Sequence, residues 1–117
     1  ALEVQPDLIL DADPDLLAQV LINLLRNGAQ AVLRGEGEQW MRFGFATVAG
    51  QVWIEIEDSG TGVPENLRRD IFLPFFTTRP EGTGVGLNLA RQVVVGHGGT
   101  IDIVEGSAGG ALFRIIL

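Results

Sequence analysis

The sequence predicts an α+β fold in two layers, a mixed, mostly antiparallel sheet covered on one face by about three helices. Three observations point there. Trp40–Val48 and Gln51–Asp58 are strand-like runs joined at Ala49-Gly50, and Thr100–Glu105 and Ala111–Leu117 form a second such pair around Gly106–Gly110. Apolar residues recur at helical spacing from Leu16 to Leu33 and again after Gly86. Strands and helices alternate irregularly, which argues against repeated parallel crossover units. A chain of 117 residues holds one core and is too short for two, so residues 1–117 are expected to be a single domain.

Taken in order, Leu2–Val4 and Leu8–Leu10 read as short strands separated by Gln5-Pro6-Asp7. Asp13 is placed to cap the first long helix, with Pro14 at its first position, and Gly35 and Gly37 end it. In that helix Leu16, Leu17, Val20, Leu21, Leu24 and Ala31 make one apolar stripe. Pro64–Asp70 is compatible with a short helix. Ile71–Arg79 is aromatic-rich and broken by Pro74, so it is read as a flap rather than a helix. It runs into a comb of glycines, Gly82, Gly84 and Gly86, that opens a helix reaching about His97, where Gly98-Gly99 stops it.

Composition narrows the function. The net charge of −7 argues against nucleic acid as a partner, because that affinity comes mainly from neutralising phosphates with basic side chains. All eight basic residues are Arg, so there is no lysine for a P-loop or a Schiff base. Zero cysteines exclude disulfides, thiol catalysis and a cysteine metal site. No apolar run is read as long enough to span a bilayer, and the start shows no signal-peptide pattern, so no membrane contact is expected.

The residues that could carry chemistry stand in three places. Asn23 and Asn27 are four apart, so they project together from the edge of the apolar stripe, about 40° from each other. They form either a solvated flank or a pair of amide oxygens for a hard cation such as Mg²⁺, which needs few protein ligands. Asp58 ends a strand in phase with Val52, Ile54 and Ile56, opposite Trp53, Glu55 and Glu57. A carboxylate there needs hydrogen-bond donors, which an Asx turn or the exocyclic amine of a purine would both supply. The open loop Ser59-Gly60-Thr61-Gly62 that follows has little side-chain bulk. The glycine comb exposes backbone N–H groups at a helix start, an arrangement suited to anions. Arg79 is either a solvated loop residue or a charge clamp for the same phosphates. Phe75 and Phe76 read as flap anchors, and His97, the single histidine, as a structural residue at a helix end.

In this order the blocks resemble the catalytic, ATP-binding domain of sensor histidine kinases, within the superfamily shared with gyrase B, Hsp90 and MutL. Gln19–Asn27 is similar to its N box, Asp58–Val63 to the G1 box, Ile71–Arg79 to the F box, and Gly82–Leu87 to the G2 box. Ala90–Gly99 is also family-like, so the likeness covers nearly the whole chain. Gly28 departs from the motif, which usually has Ala there; in mid-helix that costs about 1 kcal/mol.

The resemblance implies the Bergerat fold, with ATP held between the helices and a short lid of the nitrogen-regulator type, roughly Phe75 to Thr83. It implies that Asn27 is the Mg²⁺ ligand, that Asn23 supports the phosphates, and that Asp58 receives the adenine amine. Gly60, Gly62 and Val63 would shape the adenine pocket, while Phe76, Thr77, Thr78, Gly82, Thr83, Gly84, Val85, Gly86 and Leu87 would surround the nucleotide. Asn23, Asn27 and Arg79 would be the catalytic set. ATP-hydrolysing relatives carry Glu where this chain has Asn23, which cannot act as a base, so transfer is favoured over hydrolysis. The implied activity is phosphotransfer from Mg-ATP to a histidine on an upstream dimerisation domain, absent from these residues, and onward to a response regulator. A cytoplasmic location follows, with the isolated domain binding ATP or ADP without autophosphorylating. A serine kinase of the anti-sigma-factor type and a non-catalytic nucleotide-binding scaffold are the alternatives.

Overall fold

The computed structural model describes residues 12–74 and 86–117. The expected strands Leu2–Val4 and Leu8–Leu10, and most of the flap and glycine comb, lie outside these residues. Helix α1 runs Pro14–Arg34. Strands β1 (Met41–Val48) and β2 (Gln51–Asp58) follow, then 3-10 turns at Glu65–Leu67 and Asp70–Phe72. Helix α2 (Gly86–Gly96) leads into β3 (Thr100–Glu105) and β4 (Ala111–Ile116). Among the described residues four strands pair antiparallel, in the order β1-β2-β4-β3. The expected short helix at Pro64–Asp70 is instead the 3-10 turn Glu65–Leu67, and the second turn, Asp70–Phe72, reaches into the start of the segment read as a flap.

Local chemistry explains the element ends. Asp13 Oδ1 accepts from the N–H groups of Asp15 (3.0 Å) and Leu16 (3.1 Å), with Pro14 opening α1 where no N–H partner is needed. The β1–β2 turn has Ala49 at φ 51° and Gly50 at φ 80°, both left-handed, as a two-residue hairpin that matches strand twist requires.

The register fixes the two faces of the sheet. Ile54, Ile115 and Ile101 stand in one row across β2, β4 and β3, and Ile56, Phe113 and Ile103 in the next. These rows meet Val20 and Leu24 from α1, Ala90 and Val94 from α2, and Ile71 and Phe72 from the second 3-10 turn, making one core. Phe72 packs edge-on against Phe113 at 6.2 Å. The buried stripe of α1 is Val20, Leu24, Gly28 and Val32, whereas Leu16, expected in that stripe, is 39% exposed on the first turn.

The opposite face carries Trp53, Glu55 and Glu57, as the alternation predicts, and both carboxylates are buried there. Arg114 grips Glu55 Oε2 through Nε (2.8 Å) and an outer nitrogen (2.7 Å) and lies over the Trp53 ring at 5.0 Å. Contrary to the sequence expectation, α1 is long and apolar enough to meet the length and composition of a membrane span. It nonetheless packs against β2 and α2 and carries Asn23, Arg26 and Asn27 along its length, which fits a helix covering a sheet.

Candidate functional site

A cleft with a cavity volume of about 150 Å³ lies between α1, the end of β2 and the loop that follows. Asn27, Ala31 and Arg34 line it from α1, Asp58, Thr61, Gly62 and Val63 from β2 and its loop. Pro64, Leu67, Ile71, Leu87, Ala111 and Phe113 complete the wall. One acidic group, one amide and one guanidinium thus face a mostly apolar pocket.

Asp58 is the centre of this wall. It is 3% exposed, on the core-facing side of β2. Its Oδ1 accepts from the N–H of Gly60 (2.8 Å) and, at 3.4 Å, from the N–H of Ala111. Burial pushes this carboxyl above the ordinary aspartate value of 3.8, the two N–H groups pull part of the shift back, and the charge of neighbouring Glu57 adds to it. An Asx turn and a cleft-facing carboxylate therefore coexist in one residue: Oδ1 serves the turn, and the side chain still lines the cleft.

The glycines of the loop answer to close backbone contacts. A side-chain carbon on Gly60 would stand 2.6 Å from the carbonyl oxygen of Ala31, so this glycine lets the loop lie against α1. Gly62 has φ 71°, and a carbon there would meet the Gly109 carbonyl oxygen at 2.5 Å. Gly60 thus acts through the helix contact, whereas Gly62 itself lines the cleft.

The two asparagines separate in role. Asn27 lines the cleft. Asn23 donates through Nδ2 to the Gly86 carbonyl oxygen at 3.3 Å, tying α1 to the first turn of α2. Asn88 of that turn donates to the Phe72 carbonyl oxygen (3.1 Å), and Gln92 holds the Asn88 amide by donating to its Oδ1 (3.0 Å). Leu87 and Val63 line the cleft as well. Phe76, Thr77, Thr78, Arg79, Gly82, Thr83, Gly84 and Val85 lie outside the described residues. His97 is structural, as read: its Nε2 accepts from the Asp13 N–H (3.0 Å) and its Nδ1 contacts the Val93 carbonyl oxygen (2.8 Å).

Sequence reasoning did not single out Arg34, Ala111 or Phe113 as cleft residues. Arg34 follows Asn27 by seven positions, two helical turns, and that spacing could have flagged it. Ala111 and Phe113 reach the cleft only because β4 pairs with β2, for which no local signal exists.

This arrangement of a sheet with helices on one face is also found in solved histidine kinase structures. The catalytic domain of the histidine kinase ThkA, in a nucleotide-free form, superposes with a TM-score of 0.83 at 30% identity, covering 97% of this chain and 71% of that one. Full-length ShkA in complex with AMPPNP matches with a TM-score of 0.72 at 26% identity, covering 86% of this chain and 21% of that one. The profile of the family described as histidine kinase-, DNA gyrase B-, and HSP90-like ATPase matches residues 12–117, and the chain belongs to that family. The sensor histidine kinase ZraS of Klebsiella oxytoca is 40% identical in an alignment of 114 positions that covers 92% of this chain. Sensor protein FixL of Bradyrhizobium diazoefficiens is 32% identical over the whole chain. The chain spans 23% of the length of either relative.

Proposed function

We propose that this chain is the catalytic domain of a sensor histidine kinase, binding Mg-ATP in the cleft and transferring its γ-phosphoryl group to a histidine on a separate dimerisation domain. The observation that carries the reading is the buried Asp58 carboxylate lining the cleft together with Asn27. A carboxylate in such a place accepts from the exocyclic amine of adenine and repels the carbonyl that guanine carries at the same ring position. Ala31, Val63, Ile71, Leu87 and Phe113 supply apolar walls for the flat ring.

The donor set also fits a magnesium ion accompanying the nucleotide. Among the described residues no group of three acidic, histidine or cysteine side chains could hold a metal alone. The amide oxygen of Asn27, with water and nucleotide phosphates, suits a cation that keeps much of its hydration shell. Bound there, the ion supplies charge neutralisation for the phosphates. Asn23 holds α2 against α1, which sets where the helix following the glycine comb begins. By resemblance Gly82, Gly84 and Gly86 offer N–H groups to the phosphates, and Arg79 clamps them. No base is required of the chain, because phosphoryl transfer depends chiefly on positioning and charge.

The acceptor histidine and the response regulator belong to other domains or proteins, and a cytoplasmic location, where ATP is available, goes with the reading. The test is to mix the chain with labelled Mg-ATP, alone and then with a histidine-bearing dimerisation fragment. Binding alone, and transfer to the fragment that Asn27→Ala abolishes, are the expected results. Binding without transfer would favour a nucleotide-sensing module. Binding unchanged by both Asp58→Ala and Asn27→Ala would overturn the site.

A further inference from the structure

Glu57 is the most buried carboxylate of the described residues, 2% exposed, and it sits on the sheet face opposite the cleft. Its Oε2 accepts from both the N–H (2.6 Å) and the hydroxyl (2.8 Å) of Ser107, fifty residues away in the β3–β4 turn. Arg42 stands 3.6 Å from its other oxygen. Ser107 is exposed, yet its two donors are committed to this one buried oxygen.

The turn that Ser107 belongs to also lies against two residues of the cleft wall, Asp58 and Gly62. Gly106 donates to the Gly110 carbonyl oxygen at 2.8 Å and Gly109 to the Gly106 carbonyl oxygen at 3.1 Å, so residues 106–110 are a closed unit. On its cleft side this unit presses on the Asp58 backbone at Gly110 and on Gly62 at Gly109. It delivers the Ala111 N–H to Asp58 Oδ1 at 3.4 Å. Successive strand residues point to opposite faces. Glu57 and Asp58 therefore hold the same turn from the two sides of the sheet, one from outside through Ser107, the other from inside through Ala111.

We propose that Ser107 and Glu57 are positioning residues for adenine recognition, holding the β3–β4 turn so that the Asp58 carboxylate is fixed toward the ring. The proposal rests on the adenine reading of the cleft. Without the latch the turn can lift from Gly62 and Asp58, and the Ala111 N–H no longer orients the carboxylate. What weakens is then the selective contact to the 6-amino group, ahead of contacts to the rest of the nucleotide.

The experiment compares binding of ATP with binding of inosine triphosphate, which carries a carbonyl where adenine has its amine. Measurements on the unsubstituted chain, Ser107→Ala and Ser107→Thr separate positioning from general loosening. Ser107→Ala removes one hydrogen bond at an exposed residue and leaves the backbone N–H in place, so the fold is retained. It should lower ATP affinity roughly three- to tenfold, the range of one hydrogen bond, while inosine triphosphate affinity changes little. Ser107→Thr restores the hydroxyl and should restore the ATP preference. Equal losses for both nucleotides, or an unchanged preference in Ser107→Ala, would overturn the positioning role while leaving the adenine reading intact. An unsubstituted chain that does not prefer ATP to inosine triphosphate would instead remove the adenine reading, and the proposal with it.

Discussion

At the scale of single residues, Asp58 sets function against stability. Its carboxyl is raised in the fold, so the folded chain holds that proton more tightly than the unfolded one. The stability it contributes is full below the ordinary value of 3.8 and is lost as pH rises through the folded value. Asp58→Asn keeps an oxygen for Gly60 and Ala111 while removing the desolvated charge. At pH 7 it should leave the melting temperature unchanged or higher, and abolish ATP binding; a calorimetric scan with and without nucleotide checks both. In the unsubstituted chain ATP affinity should fall on acidification as Asp58 takes up its proton, with a midpoint above 3.8. Glu57 runs the other way. Burial pushes it up, but the Ser107 hydrogen bonds and Arg42 outweigh that and hold it below 4.5, so its stabilisation is lost as pH falls through the lowered value. A second residue-scale case is Ala49, the sole described non-glycine with left-handed φ (51°). Ala49→Asn should stabilise by about 0.5–1 kcal/mol in urea unfolding, because Asn accepts that conformation and Ala resists it.

At the scale of elements, α1 is held by chemistry distributed along its length. His97 joins its N-cap to the end of α2, and Asn23 joins its middle to the start of α2. His97→Ala should cost about 1–2 kcal/mol in urea unfolding and speed hydrogen exchange at the Asp13 amide, since that N–H loses its partner. Gly28 is the weak point in propensity, but it is buried where the Met41 side chain fills the space beside it. An alanine there gains about 1 kcal/mol of helix propensity only if the Met41 terminus swings aside. Gly28→Ala alone should therefore be close to neutral, and paired with Met41→Val it should recover most of that gain, a non-additivity that a double-mutant cycle measures.

At the scale of the whole molecule, the helices and the sheet of the described residues enclose one core, and the cleft sits where α1, the β2 loop and β4 meet. Nucleotide that binds only the folded chain must stabilise it by mass action, about 2.7 kcal/mol at one hundred times its dissociation constant. The melting temperature should accordingly rise with Mg-ATP and stay flat in Asn27→Ala. Much of this was legible in the sequence. Asp13-Pro14 announced the helix start, the period-two alternation of β2 put Asp58 inward, and Ala49-Gly50 marked the hairpin, because caps, pleat and turn conformations are local physics. Burial along α1 was less legible, since Leu16 fits the helical stripe yet is exposed in the first turn.

The sequence by itself determined the family, because the ordered motifs around Asn27, Asp58 and the clustered glycines are written in the chain's own order. Only the tertiary structure decided how those residues divide the work. Asn23 turned toward α2, Gly60 toward the backbone of α1, and Glu57 toward Ser107, fifty residues on. The last of these contacts depends on β4 pairing with β2, a strand order set by burial of the whole core and not by any local spacing.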